Sequence, residues 1–246
     1  MPDRTARKIF NGWIEISQPP AGYRFSIDAL ILAHHVDAAA GDRIADIGTG
    51  CGVIPLMLAR RFPESVIFGI EVQSELARLA EANASANHLA NGIRIIKKDV
   101  RMVPASETGP LHIVTCNPPH TEKTAGRINP NNQMAIARHE IMMTITDLAE
   151  AANRLLSCKG RLFTVYPARR MPEVLIKMRD AGLEPKKIRS IHFKSDTSAR
   201  RVLIQATKHG QPGLEILPPL VMQNPDGSYT SEAKTIMNPG GQGHND

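Results

Sequence analysis

The chain has 246 residues, 42% of them apolar and 22% charged, which suits one globular domain and argues against a disordered, collagen-like or coiled-coil protein. Lysine and arginine number 30 against 24 acidic residues, and the resulting charge of +6 is compatible with a polyanionic partner such as nucleic acid. Three cysteines without a CxxC pair argue against a disulfide framework and a structural zinc site, and no apolar run approaches the ~18 residues of a membrane span. We therefore expect a soluble, cytoplasmic protein without a structural zinc site or a membrane span.

The predicted elements begin with an amphipathic stretch at residues 27–36, inside a lead-in segment of residues 1–40. From residue 43 onward, short apolar runs rich in β-branched residues alternate with helical patterns. The runs cover residues 43–46, 66–71, 93–96, 111–116 and 161–165, and the helical patterns cover residues 54–61, 74–88 and 146–156. This alternation predicts right-handed crossovers and a doubly wound, mostly parallel sheet of the α/β class.

The remaining elements predict how this sheet ends. A helix is predicted at 171–181, followed by strands at 187–192 and 201–206 that a polar loop joins. These would complete a sheet of seven strands with an antiparallel last strand. The domain then spans residues 41–208, and residues 209–246 form a C-terminal extension that we expect to be partly peripheral. Residues 121–138 show no periodicity, and a stretch of that length is usually functional or mobile.

A glycine-rich loop directly follows the first strand of the domain and precedes a helix. It contains Gly48, Thr49, Gly50 and Gly52, and glycines there let the backbone turn sharply and approach a ligand closely. Asp46 stands just before the first glycine. Its carboxylate would repel the pyrophosphate of a dinucleotide but suits the cationic ammonium and sulfonium of S-adenosylmethionine. The loop therefore favours S-adenosylmethionine as cofactor, with a helix N-cap as the plain structural alternative for Asp46.

Two further acids stand where later strands reach the same crevice. Glu71 ends the second strand and can accept hydrogen bonds from both ribose hydroxyls, although dinucleotide binders share such an acid and a surface charge is the alternative. Asp99, with Val100 after it, lies just past the third strand. We expect Asp99 to accept a hydrogen bond from the adenine amine of the cofactor, and an ordinary turn aspartate is the alternative.

The fourth strand is followed at once by Asn117, Pro118, Pro119 and His120. Two consecutive prolines fix the backbone and remove two donors, so this loop is stiff and presents bare carbonyl groups. Asn117 adds a side-chain carbonyl at the edge of the sheet where ligands bind. The loop is suited to accept two hydrogen bonds from an –NH2 group and so to direct its lone pair at a sulfonium methyl. A plain loop is the alternative.

Taken together, the glycine loop, the acids and the Asn-Pro-Pro loop resemble the motif set of Rossmann-like class I methyltransferases that act on amino groups. The stretch of residues 22–33 is similar to the opening of the bacterial tRNA(Val) adenine-N(6)-methyltransferase family, and the similarity runs to about residue 208. This resemblance implies S-adenosylmethionine as methyl donor, no metal, and RNA, specifically tRNA, as substrate. His120 departs from the family pattern, which has Tyr or Phe at this position to stack on the base. An imidazole ring can also stack, but it offers less area and has a pH-dependent charge.

On the substrate side, an adenine in structured RNA must be splayed out before its amine is accessible. Phe25 is a candidate stacking platform, Arg127 and Arg138 are candidates to hold phosphates, and the lead-in segment is expected to pack over the crevice. Alternative functions are methylation of a protein glutamine amide or a small molecule. A non-catalytic RNA-binding module on the same fold is a further alternative.

Overall fold

The computed structural model describes residues 6–19, 24–118 and 143–242. Within these residues the strands are β1 Arg7–Ile9, β2 Ile14–Ile16, β3 Arg43–Ile47, β4 Val66–Ile70, β5 Ile93–Ile96, β6 Leu111–Cys116, β7 Leu156–Pro167, β8 Leu183–Lys194, β9 Arg201–Lys208 and β10 Glu215–Gln223. The helices are α1 Ile27–His35, α2 Val53–Arg61, α3 Ser74–Ala86, α4 Ala105–Thr108, α5 Ile145–Leu155, α6 Met171–Asp180 and α7 Ser231–Met237. The five predicted apolar runs coincide with β3 to β7, and the predicted helices coincide with α1, α2, α3, α5 and α6.

Eight strands form the main sheet in the order β10-β8-β9-β7-β6-β3-β4-β5. Strand β9 runs antiparallel to both of its neighbours, whereas the other strand pairs of this sheet are parallel. This is the Rossmann-like methyltransferase arrangement that the sequence predicts, with β9 as the antiparallel strand. The carboxyl ends of β3, β4, β5 and β6 meet at one edge of the sheet, and in such folds ligands bind at that edge.

Strand β10 is an addition to the predicted sheet and comes from the C-terminal extension. It pairs in parallel with β8, and its register shifts between Leu217 and Leu220, where Pro218 and Pro219 stand. Two prolines weaken a sequence-based strand prediction because they cannot donate to the ladder, but they are tolerated on an edge strand or at a bulge. The extension therefore contributes an eighth strand at the edge of the sheet.

Helices cover both faces of the sheet. Helices α1, α2 and α7 share one buried apolar cluster with strand β2, and helices α5 and α6 share a second cluster on the opposite face. Local signals set the helix ends. The Thr144 hydroxyl accepts from the Asp147 amide at 3.1 Å and the Asp147 carboxylate accepts from the Thr144 amide at 2.8 Å, a capping box that starts α5.

A two-stranded hairpin, β1 with β2, precedes the main sheet. Two buried asparagines, Asn83 of α3 and Asn87 at its C-cap, hold β2 and the residue after it. The Asn87 side chain bonds both backbone groups of Glu15, and the Asn83 side chain bonds both backbone groups of Ser17. The hairpin also reaches the end of the described chain, since a Cβ placed on Gly240 would stand only 2.7 Å from the Trp13 Cβ.

No described helix is long and apolar enough to cross a membrane. No group of three or more His, Cys, Asp or Glu side chains in the same part of the chain is placed to hold a metal ion.

Candidate active site at the carboxyl edge of the sheet

The glycine loop turns in a conformation that glycine adopts most easily. Gly48, Gly50 and Gly52 have φ values of 72°, 58° and 87°, all in the left-handed region. At Gly52 there is also no room for a side chain, because a Cβ would stand 3.1 Å from the Ala80 Cβ of α3. The amide groups of Gly48 and Thr49 donate to the Ile70 carbonyl at 2.9 and 3.1 Å. The loop is thus anchored to the end of β4.

Asp46 is the next-to-last residue of β3, and only 1% of its surface is exposed. Its Oδ1 accepts from the Thr115 hydroxyl of β6 at 2.8 Å, and its Oδ2 has no partner among the described residues. Burial raises the pKa of Asp46 to about 7. The nearby Thr49 and Thr115 hydroxyls oppose this increase, and the negative charge of Glu71 adds to it. A buried carboxylate without a cation is costly, so this site favours a positively charged ligand group.

Glu71 stands directly after β4 and is 4% exposed. Its Oε2 accepts from the Gly50 amide and its Oε1 from the Gln73 amide, each at 2.9 Å. Burial raises its pKa, and these backbone hydrogen bonds oppose the increase. Each carboxylate oxygen has a second lone pair, so Glu71 is able to shape the glycine loop and to accept from a ligand at once. Its contact with ribose hydroxyls stays a prediction.

Asp99 caps the short 3-10 turn Val100–Met102 that follows β5. Its Oδ1 accepts from the Arg101 amide at 2.9 Å, and the carboxylate forms an ion pair with the Arg101 guanidinium. Hydrogen bonding by Arg101 lowers the pKa of Asp99, which keeps it ionised. Val100 is buried in the apolar cluster beneath α5 and α6. The proposed contact of Asp99 with an adenine amine remains a prediction that this geometry permits.

Asn117 and Pro118 directly follow β6, and Pro118 is buried. The Asn117 Nδ2 donates to the Ser26 hydroxyl at a long 3.5 Å, whereas the Asn117 Oδ1 is buried without a partner. Ser26 occupies the N-cap position of α1 but makes no capping bond with its side chain. Its hydroxyl is therefore available to accept from the Asn117 side-chain amide.

Unpartnered buried polar atoms cluster at this edge of the sheet. Among the described residues, five buried side-chain atoms lack a hydrogen-bond partner: Asp46 Oδ2, Thr49 Oγ1, Asn117 Oδ1, Asn153 Oδ1 and Asn238 Oδ1. Three of the five belong to the glycine loop region and the Asn-Pro-Pro loop. Native proteins rarely leave such atoms unpaired, so a polar ligand bound at this edge would supply their partners. An acid for a cationic group and free acceptors beside it fit S-adenosylmethionine next to an amine.

The remaining sequence candidates have different outcomes. Phe25 is half-buried and packs against the core beside α1, and its amide donates to the Gln18 Oε1 at 3.1 Å. Its role as a stacking platform stays a prediction, supported only by the exposed part of the ring. Four candidates lie outside the described residues: Pro119, His120, Arg127 and Arg138.

Three residues of this site were not predicted from the sequence. Thr115 holds Asp46, Ser26 holds Asn117, and the Asn83 Nδ2 donates to the Cys51 carbonyl of the glycine loop at 2.9 Å. Of the three, only Ser26 could have been noticed in the sequence, since a serine immediately before a helical pattern is a typical N-cap whose side chain forms a hydrogen bond. Thr115 and Asn83 look like ordinary strand and helix residues.

Comparison with known proteins identifies the family. Residues 24–179 match the methyltransferase small domain. The tRNA1(Val) (adenine(37)-N6)-methyltransferase of Tolumonas auensis is 32% identical over 168 residues, 68% of each chain. The Aeromonas hydrophila protein of the same name is 28% identical over 215 residues, 86% of this chain and 87% of its own.

Solved structures agree on the fold. A predicted O-methyltransferase from Agrobacterium tumefaciens superposes with a TM-score of 0.71 at 22% identity, covering 87% of this chain and 96% of its own. A methyltransferase from Pyrococcus furiosus superposes with a TM-score of 0.57 at 18% identity, covering 79% and 89%. The chain therefore belongs to the methyltransferase small domain family, groups there with the bacterial tRNA(Val) adenine-N(6)-methyltransferases, and is an S-adenosylmethionine-dependent N-methyltransferase.

Proposed function

We propose that this enzyme methylates the exocyclic N6 amine of an adenine in tRNA, and that the target is adenine 37 of tRNA1(Val), the site named for its relatives. The observation that carries the proposal is the buried, unpartnered Oδ1 of Asn117 at the carboxyl end of β6. An acceptor in that position suits an –NH2 group, which has hydrogens to donate. The enzyme would act in the cytoplasm, where tRNA is found.

The acceptor side of the reaction rests on two oxygens. Ser26 holds the Asn117 amide so that Oδ1 accepts one N–H of the amine, and the Pro118 carbonyl accepts the other. Both bonds direct the nitrogen lone pair away from the loop and raise its electron density. As the N–C bond forms and the S–C bond breaks, the nitrogen gains positive charge and loses one proton to solvent. Positioning then supplies most of the rate enhancement.

The donor side rests on the glycine loop and its acids. When bound, S-adenosylmethionine supplies an electrophilic methyl group. The left-handed glycines let the backbone approach the donor, Asp46 offers its unpartnered carboxylate oxygen to a cationic group, and Glu71 offers its remaining lone pairs to the ribose. Asp99 accepts a hydrogen bond from the exocyclic amine of the donor's adenine.

The lead-in segment has a part in the same site. We propose that residues 1–40 pack over the crevice, a role supported by the contacts of Ser17 with Asn83 and of Ser26 with Asn117. Asn83 also donates to the Cys51 carbonyl of the glycine loop, so these contacts connect Ser17 to that loop and Ser26 to the Asn-Pro-Pro loop.

The test compares two synthetic tRNA1(Val) molecules that differ only at position 37. One carries adenosine, and the other carries purine riboside, which lacks the 6-amino group but leaves every other adenine in place. With labelled donor, only the adenosine substrate should gain label, and nucleoside mass spectrometry should identify N6-methyladenosine. Equal labelling of both substrates would overturn the proposed target.

Asn117→Ala serves as the matched enzyme variant in the same assay. It should lower transfer by at least about a hundredfold, as loss of a hydrogen-bonding group in the transition state commonly does, while donor affinity measured by calorimetry stays within about twofold. A parallel loss of donor affinity and transfer would contradict the role of Asn117 in holding the amine.

A further inference from the structure

We infer that an exposed aromatic and basic surface beside the crevice binds unpaired nucleotides that flank the target base. This surface, here called the Phe193 surface, consists of Ile27, Phe193, Lys194 and Arg200. The inference rests on the proposed function, because it assigns to the enzyme the part of its RNA that lies next to the methylated adenine.

Phe193 is a half-exposed aromatic side chain. It is 51% exposed near the carboxyl end of β8, although an exposed phenylalanine gains little from solvent. Ile191, two residues earlier, is buried in the cluster that also holds α1 and α2. Since side chains alternate along a strand, Phe193 projects on the same face of the sheet as α1. Unlike Phe25, it leaves about half of its surface open for stacking.

The start of α1 connects the strands of this surface to the crevice. Ile27, 39% exposed, follows Ser26, whose hydroxyl contacts the Asn117 amide. On the next residue, the Asp28 carboxylate forms an ion pair with the Arg201 guanidinium, with Nε 3.0 Å from Oδ2. Arg201 lies opposite Ile191 in the sheet. The beginning of α1 is thus fixed to the strands that carry Phe193.

The distance from Phe193 to Asn117 determines which nucleotide this surface can bind. In the sheet, β8 is separated from β6 by β9 and β7, which makes three strand spacings of about 4.8 Å, or about 14 Å in all. Phe193 is therefore too far from Asn117 to stack on the adenine being methylated. It is placed for a neighbouring base of the same unpaired loop.

The charge of the surface fits the backbone of such a loop. Arg200 is exposed, and its guanidinium has no ion-pair or hydrogen-bond partner with another side chain in the part of the chain that the structure describes. The Lys194 Nζ makes one long contact, 3.4 Å to the Pro225 carbonyl, and no ion pair with a described acid. The nearest acids in the chain are Asp196, which lies between the two cations in sequence, and Asp226, which follows Pro225; neither forms a described ion pair with Lys194 or Arg200. Stacking aromatics with nearby cations are the usual means of binding single-stranded nucleic acid.

The test uses two surface variants, each with a matched control. Phe193→Ala and Arg200→Ala alter the surface, whereas Ile176→Ala on α6 and Arg94→Ala on β5 remove an equally exposed apolar or arginine side chain elsewhere. Binding of a fluorescent anticodon stem-loop RNA should weaken about tenfold for Phe193→Ala, because one stacked base is lost. Arg200→Ala should weaken binding and reduce the slope of log affinity against log salt by about one. Both controls should match the wild type.

Kinetics separate RNA binding from chemistry. Both surface variants should raise KM for tRNA with kcat and donor affinity unchanged, and Phe193→Trp should retain wild-type binding because indole also stacks. If both surface variants bind RNA as tightly as the controls do, the RNA-binding role of the Phe193 surface is refuted, while the proposed function stands. If the wild-type enzyme neither binds nor methylates this RNA, the proposed function fails instead.

Discussion

Asp46 shows how a single buried acid connects the charge of the ligand to pH. Its pKa of about 7 means that in the ligand-free protein the carboxyl is protonated below neutrality and ionised above it. A cationic ligand group interacts favourably only with the ionised form, so binding below pH 7 must first release a proton. The sign of the dependence follows directly, since affinity rises with pH and levels off once Asp46 is already ionised.

We therefore expect the affinity for S-adenosylmethionine to fall by up to about tenfold per pH unit below about pH 7, the limit for release of one proton. Calorimetry from about pH 5.5 to about pH 7.5 measures this slope. Asp46→Asn should bind more weakly but without the slope. Asp99→Asn is the control that keeps it, because Arg101 already lowers the pKa of Asp99. A wild-type affinity that is flat over this range would refute the role of Asp46.

Pairs of residues far apart in the chain define the limit of sequence-based prediction. Asp46, Glu71 and Asn117 were found because each stands at a strand end beside a recognisable loop. Ser26 and Thr115 were not, because their bonds join residues separated by 91 and 69 positions. No local pattern encodes such a pairing, and it becomes visible only when the strands are assembled.

At the scale of elements, helix α3 acts on two neighbours at once. Asn83 and Asn87 are one turn apart and both bond the backbone beside β2, but only Asn83 also bonds the Cys51 carbonyl of the glycine loop. The helix itself was predictable from its periodicity. Its role as a clamp was not, since asparagine in a helix usually faces solvent.

Alanine at either position should lower the free energy of unfolding by about 1–3 kcal/mol, because buried backbone groups lose their partners. Only Asn83→Ala should also weaken donor binding, since the glycine loop loses its anchor at Cys51. Denaturant titration gives the first quantity and calorimetry the second. Equal donor affinities in the two variants would show that the clamp does not reach the cofactor site.

At the scale of the whole molecule, the C-terminal extension belongs to the folded core. Leu220 of β10 and Ile236 of α7 are fully buried with residues of α1 and α2. The Glu232 carboxylate forms an ion pair with the Arg189 guanidinium of β8 at 2.6 Å. The asparagine, proline and glycine content of this region indicates a peripheral segment, but a few well-placed apolar residues are enough to add a strand and a helix.

Two residues of β10 test this integration. Leu220→Ala should cost about 2–5 kcal/mol of unfolding free energy, as a large cavity in a core does. Ile216→Ala on the same strand should stay within about 0.5 kcal/mol, because that side chain is 76% exposed. Urea unfolding followed by circular dichroism measures both. Equal losses of unfolding free energy in the two variants would mean that β10 unfolds separately from the rest of the sheet.

The contact between Trp13 and Gly240 gives the molecule a built-in optical reporter. The chain has a single tryptophan, and it stands where the opening hairpin meets the last described turn. Its emission therefore senses whether these two outermost segments are docked, without any label or background from a second indole. A change in that signal would report separation of the hairpin from the C-terminal turn, even while the central strands stay paired.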